Sequence, residues 1–295
     1  MTALLPTTVA DGEFAAEGGA VLAWRRFRRN RMALAGLAVV LLFALFCFVG
    51  PLLYHSDQTS TNLAGINLPP GLGHPLGTDA VGHDQLGRLM YGGSVSLLVG
   101  LAAGVLATVI GVSWGATAGY LGGWIDSAMM RVVDAGIAIP ALFILLVISA
   151  ISTPHVPGLI VILGLISWLV PSRLIRAETL TLKNRDYIYT LRAFGGSHLR
   201  AITRHVLPNS VATVAVAATF QVADAILLVA YVSYLGLGVQ PPETDWGGML
   251  SQGLTAAYSG RWWLIVPPGI AIILVVCAFN AIGDGLRDAF AVRGR

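Results

Sequence analysis

Four side chains, His74, Asp79, His83 and Asp84, bring imidazole and carboxylate groups into one short polar stretch. Such groups can ligate a transition metal. Their spacing matches no closed metal site, and the Gly and Pro residues around them favour turn chemistry instead. Gly111-Val112-Ser113-Trp114-Gly115 has the GxSxG pattern of serine hydrolases. That nucleophile needs a strand-to-helix elbow, whereas this one lies in the middle of a long apolar block. It reads as packing glycines. The single lysine, Lys183, follows Leu182, so the Gly-Lys-Ser/Thr phosphate loop is missing and the chain is no ordinary P-loop ATPase. The strand-then-GxGxxG dinucleotide fingerprint is absent too. Cys47 and Cys277 sit in apolar blocks, where they behave as small apolar residues and offer neither a disulfide framework nor a metal or redox pair. The chain is therefore expected to do no covalent chemistry and to bind no metal or cofactor. Two acids remain. Asp134 opens one apolar block three residues after Arg131, which suggests a helix-surface ion pair. Asp224 lies inside another block, where an acid is costly and marks function. It either faces a translocation path or pairs with a partner helix.

The elements that must position these groups follow from composition. Of 295 residues, 56% are hydrophobic and 11% are charged, against roughly 25% charged in soluble domains. The apolar residues fall in six blocks, 32–54, 94–120, 134–153, 158–174, 211–238 and 262–282. Each approaches the ~20 residues that cross a bilayer as a helix. The fourth is short and holds Pro171. With the N-terminus in the cytoplasm, 16 of the 18 Lys and Arg fall on the inside and only Arg88 and Arg261 outside. The positive-inside rule therefore places both termini in the cytoplasm. The first block is longer than a signal-peptide core and reads as a retained span.

Residues 1–23 read as a mobile tail. Trp24 to Arg31 mixes aromatics with arginines, as suits a headgroup anchor. Gly100, Gly104, Gly111, Gly115 and Gly119 share one face of the second span and suit close helix approach in lipid. Two long segments, 55–93 and 239–261, are expected outside, and the polar stretch 173–209 inside. Within that stretch, residues 186–209 read as a short helix, a glycine turn, a second helix and a proline stop.

This stretch resembles the EAA loop of permease subunits in binding-protein-dependent ABC importers. Gly195, Leu207 and Pro208 hold the matching positions. His205 stands in the Ile place, and Tyr189, Thr190 and Leu191 stand at Glu-Ala-Ala. Further segments are similar to the dipeptide, oligopeptide and nickel class. They are His74-Pro75-Leu76-Gly77-Thr78-Asp79 with Gly82-His83-Asp84, Ser233-Tyr234-Leu235-Gly236-Leu237-Gly238, and Asn280-Ala281-Ile282-Gly283-Asp284-Gly285-Leu286-Arg287-Asp288. His83 replaces a usual arginine, Val229 a common glutamate, and Ala291-Val292 a usual Asp-Pro. The resemblance runs from about Trp24 to Asp288 and is nearest the C-type permease of the pair.

The resemblance implies an all-α membrane protein with six transmembrane helices and the type I ABC importer (MetI-like) permease fold. On that reading, residues 1–31 form a cytoplasmic tail and interfacial segment. Residues 32–93 hold the first span and outside loop, 94–288 the permease domain, and 289–295 a second tail. The implied setting is the plasma membrane of a prokaryote, within membrane lipid and with no nucleic acid. The implied partners are a paralogous permease in a heterodimer, two ABC ATPase subunits that carry ATP and Mg, and an extracytoplasmic solute-binding protein. Asp186, Arg192, Ala193, Phe194, Gly195, Ser197, His198 and Leu199 are expected to form the ATPase-coupling loop, and Asp224 is a candidate path residue. The cargo expected is a di- or oligopeptide, with nickel chelates or glutathione as alternatives. A proton-coupled transporter using Asp224 and Asp134, and an intramembrane hydrolase using Ser113, are the rival classes.

Overall fold

The computed structural model describes residues 19–152 and 155–291. The tail over 1–18, Thr153 at the expected end of the third span, and residues 292–295 lie outside the described residues. In chain order the helices are α1 (Gly19–Phe27), α2 (Arg31–Phe48), α3 (Gly50–Leu53), α4 (Gln85–Leu121), α5 (Gly123–Ile137), α6 (Ala141–Ser152), α7 (Val156–Ser167), α8 (Leu169–Lys183), α9 (Asp186–Ala193), α10 (His198–Ala201), α11 (Leu207–Asn209), α12 (Val211–Tyr234), α13 (Trp246–Leu254) and α14 (Val266–Phe290). Among the described residues there is no strand, only a lone antiparallel bridge between Thr78 and Asp84.

Four helical stretches are long and apolar enough to cross a membrane: Arg31–Leu53, Gln85–Leu121, Val211–Tyr234 and Trp262–Phe290. The third and fourth expected spans are broken. α5 and α6 meet at 73°, and α7 and α8 at 44°. Counting each bent pair as one crossing gives six. Pro140 stands immediately before α6 and cannot donate to the preceding turn, which accounts for the first break. Pro171 lies in the first turn of α8, where its missing N–H is harmless within that helix but cannot tie α8 back to α7. The expected bounds shift accordingly. The third span begins at Gly123 rather than Asp134, and the fourth runs on to Lys183 rather than ending at residue 174. α8 carries its arginines because that face meets acids of α5.

α4 is the central element, packing against α2, α5, α7, α8 and α12. Its glycines divide between two neighbours. Gly100 and Gly104 abut Ile226 and Val222 of α12, while Gly111, Gly115 and Gly119 abut α8. At Gly115 the approach is backbone to backbone: a Cβ there would lie 2.2 Å from the Ser172 carbonyl oxygen. Van der Waals contact along such a seam is what holds helices together in lipid. A buried cluster including Cys47, Leu97, Ile226, Trp246, Val275 and Phe279 joins α2, α4, α12, α13 and α14. α1 packs on the end of α14 through Ala23, Phe27 and Ala289, and leaves Trp24 exposed, as an interfacial anchor would.

The two long connections fold onto the bundle instead of looping freely. Residues 55–84 are tied by backbone hydrogen bonds from Asn62 to Val81, Asn67 to Asp79, and Thr78 to Leu68. The segment 239–261 tucks α13 inward. Trp246 is fully buried, and its Nε1 donates to the Leu89 carbonyl at 3.0 Å. Asp245 caps α13 by accepting from the Gly248 N–H at 2.9 Å.

Candidate functional site

Residues 186–209 are shaped by one glycine and one proline. Asp186 lies exposed in the first turn of α9, where a carboxylate favours the helix N-terminus. Arg192 and Ala193 close that helix. Gly195 then adopts φ +75°, and the Gly196 N–H donates to the Leu191 carbonyl at 2.9 Å. This six-to-one bond with glycine in the left-handed region is a Schellman stop. Ser197 starts α10, its Oγ accepting from the Arg200 N–H at 3.3 Å.

Pro208 does not stop the second helix, contrary to expectation. α10 continues through a π-turn, Ile202–Val206, into α11. Proline at 208 cannot donate to the Arg204 carbonyl, and the extra residue of a π-turn absorbs the mismatch, with Leu207 N–H reaching back to the Ile202 carbonyl.

The segment has two faces. Ile188, Ala201 and Val206 are buried against Tyr120 and Leu182, which fixes it to the ends of α4 and α8. The His198 ring lies edge-on to Tyr120, 5.7 Å between centroids. The other face shows Phe194 at 87% and Leu199 at 71% exposure, beside exposed Ala193, Ser197 and His198. Two large apolar side chains held out on a rigid polar turn form a surface made for contact.

Asp224 lies near the middle of α12, and its side chain is exposed. Among the described residues it has no hydrogen-bond or ion-pair partner. It lines a groove of about 390 Å³ with Ile139, Pro140, Ser167, Gln221 and Tyr231. Both helix breaks therefore open onto the same groove.

Asp134 pairs not with Arg131 but with Arg173 of α8, at 2.5 Å. Arg173 lies across the helix interface, while Arg131 is exposed and has no acidic partner among the described residues. One helical turn from Arg173, Arg176 makes a two-pronged pair with the buried Asp126, at 2.5 and 2.6 Å. The fork geometry of arginine suits that arrangement. The pair clamps α5 to α8. Sequence reading missed it, since fifty positions separate its members and no motif links them.

At the opposite end of α4 lies the histidine and aspartate group. Asp84 caps α4 through the Gly87 N–H at 2.8 Å, and its other oxygen meets Tyr54 at 3.0 Å and His74 at 2.8 Å. Asp79 turns the chain by accepting from the Val81 and His83 N–H groups. Arg88 contacts His83 Nδ1 at 2.7 Å and Gln252 at 3.2 Å. These side chains are engaged with one another. No cluster of three or more His, Cys, Asp or Glu suited to a metal occurs among the described residues. Ser113 sits inside α4 with its hydroxyl bonded back to the Val109 carbonyl at 2.8 Å, so there is no nucleophile elbow.

Asp245 is fully buried, and burial pushes its carboxyl up to about 6. The N-cap role was not foreseen, although Asp245 three residues before Gly248 and directly before Trp246 carries the capping signal.

Comparison with known proteins places these features. A family model described as "Binding-protein-dependent transport system inner membrane component" matches residues 107–295. A second, "N-terminal TM domain of oligopeptide transport permease C", matches residues 20–70. The chain is 38% identical over 267 residues to the dipeptide transport system permease protein DppC of Bacillus subtilis, covering 90% of this chain and 83% of that protein. It is 36% identical over 264 residues to the oligopeptide transport system permease protein OppC of the same organism, covering 90% and 86%. The chain belongs to the family of inner membrane components of binding-protein-dependent transport systems.

Proposed function

We propose that this chain is one half of the transmembrane pathway of an ATP-driven importer of di- or oligopeptides. The names of its relatives support the cargo class. The working partners are a paralogous permease, two cytoplasmic ATPase subunits that bind ATP and Mg, and an extracytoplasmic binding protein. Both termini and residues 186–209 face the cytoplasm, in keeping with the charge asymmetry. The division at residues 31, 93 and 288 follows the same reading.

The single observation that carries the coupling role is the two-faced loop. One face is anchored on α4 and α8, and the other holds Phe194 and Leu199 out, around the Gly195 turn. Exposed Asp186, Ala193, Ser197 and His198 complete this surface, and Arg192 belongs to the same coupling segment. Motion of the docked ATPase passes into the bundle through the anchored face. α5–α8 and α12 then shift between two packings, as alternating access requires. Asp224 faces the pathway between the halves.

The test replaces Phe194 and Leu199 by aspartate in the co-expressed complex. The variant is expected to insert normally and to lose the ATPase subunits on purification. Retention of both ATPases with full cargo-stimulated hydrolysis would remove the loop from this role.

A further inference from the structure

The groove around Asp224 has a composition that selects its occupant. Three mid-length features converge there: the centre of α12, the α5–α6 break and the α7–α8 break. At the first break, Ile139 lines the groove, and among the described residues its carbonyl accepts no backbone hydrogen bond, because the chain turns away before Pro140. At the second, Pro171 leaves the Ser167 carbonyl without its usual donor four residues on. Gln221, Asp224 and Tyr231 fall at spacings of three and seven along one face of α12. No Lys, Arg or His lines the groove. The nearby Arg173 and Arg176 are already committed to Asp134 and Asp126. The site thus offers one uncompensated carboxylate and free carbonyls, set among Ile, Leu, Val and Pro side chains.

A cation would stabilise the charged form of an acid held at mid-membrane. A divalent metal ion is a poor fit, since Asp224 is the sole His, Cys, Asp or Glu lining the groove. An organic ammonium fits better. It presents three N–H donors to a carboxylate and carbonyls, and its apolar remainder suits the walls. Unwound backbone at mid-membrane is also where carbonyls are free to take such a group.

We propose that Asp224, together with the carbonyls freed at the two helix breaks, forms a subsite for the protonated amino terminus of the cargo. This rests on the peptide-importer reading above. A basic side chain of the paralogous permease is the rival occupant.

The test uses the complete complex in lipid nanodiscs and proteoliposomes, with trialanine and N-acetyl-trialanine as probes at millimolar concentration. Modification of Asp224 by a hydrophobic carbodiimide is followed by mass spectrometry. Trialanine is expected to protect Asp224, and the acetylated peptide is not. Loss of a charge-assisted contact predicts that Asp224→Asn lowers ATP-driven trialanine uptake about tenfold or more, with subunit stoichiometry unchanged and Asp224→Glu largely active. Equal protection by both peptides, undiminished uptake by Asp224→Asn, or an Asp224 inert to carbodiimide because a partner covers it would each overturn the subsite. Absence of ATP-driven trialanine uptake by the wild-type complex would be a different failure, one that removes the peptide reading and the subsite with it.

Discussion

At the scale of single residues, Gly195 is constrained by its backbone conformation alone. A Cβ there would meet nothing within 4 Å, so space is not what requires glycine; φ +75° is. A β-branched residue in that conformation costs roughly 1–3 kcal/mol, whereas asparagine tolerates it. Gly195→Val is expected to insert in the membrane yet lose ATPase subunits or uncouple hydrolysis from uptake, while Gly195→Asn keeps both. Subunit stoichiometry and stimulated hydrolysis of the purified variants decide this. Asp245 yields a second expectation. Its folded carboxyl titrates near 6, above its unfolded value, so its contribution is most favourable at low pH and is lost as pH rises through about 6. Asp245→Asn keeps a capping oxygen and avoids the buried charge. It should raise stability by roughly 2–3 kcal/mol at pH 7.5 and by much less at pH 4.5. Melting curves at the two pH values check the sign. The Gly195 turn was legible in the sequence because its cause is local. The Asp126–Arg176 and Asp134–Arg173 pairs were not, because helix docking chose the partners. For Asp134 it overrode the neighbouring Arg131.

Among elements, the seam between α4 and α8 depends on missing side chains. Gly115→Leu would force a side chain onto the Ser172 carbonyl, with overpacking costs of about 1–3 kcal/mol or more. Gly73, in open space, serves as the control, and Gly73→Ala should be silent. The expected outcome is a lower melting temperature and poor complex recovery for Gly115→Leu alone. The continuous spans were readable from hydropathy, since length and apolarity are summed properties. The glycine face was also readable, but not its division between α12 and α8. Prolines were harder. Pro140 and Pro171 mark breaks, whereas Pro208 is absorbed by a π-turn. The residue is the same each time, and the outcome depends on whether neighbouring helices hold the chain straight.

For the whole molecule, sidedness is the decisive expectation. Exposed Ser197 and Thr61 lie toward opposite ends of α4. A cysteine at 197 should react with an impermeant thiol reagent only from the cytoplasmic side, and one at 61 only from outside. Reaction of 197 in intact cells would invert the layout. α4 itself has a mechanical consequence. Its 37 residues make a rod of about 55 Å, longer than the ~30 Å hydrocarbon core. One end carries Arg88 and the cap Asp84 beneath a cavity of about 670 Å³. The other carries Tyr120 against His198. A single drive shaft thus links the two surfaces, and its ends cannot turn independently. Adding one alanine at mid-shaft would twist one end by about 100° relative to the other. With the Gly100 and Gly104 face kept on α12, the Gly111, Gly115 and Gly119 face would then turn off α8, so a change of one residue in the length of the shaft is felt at both surfaces.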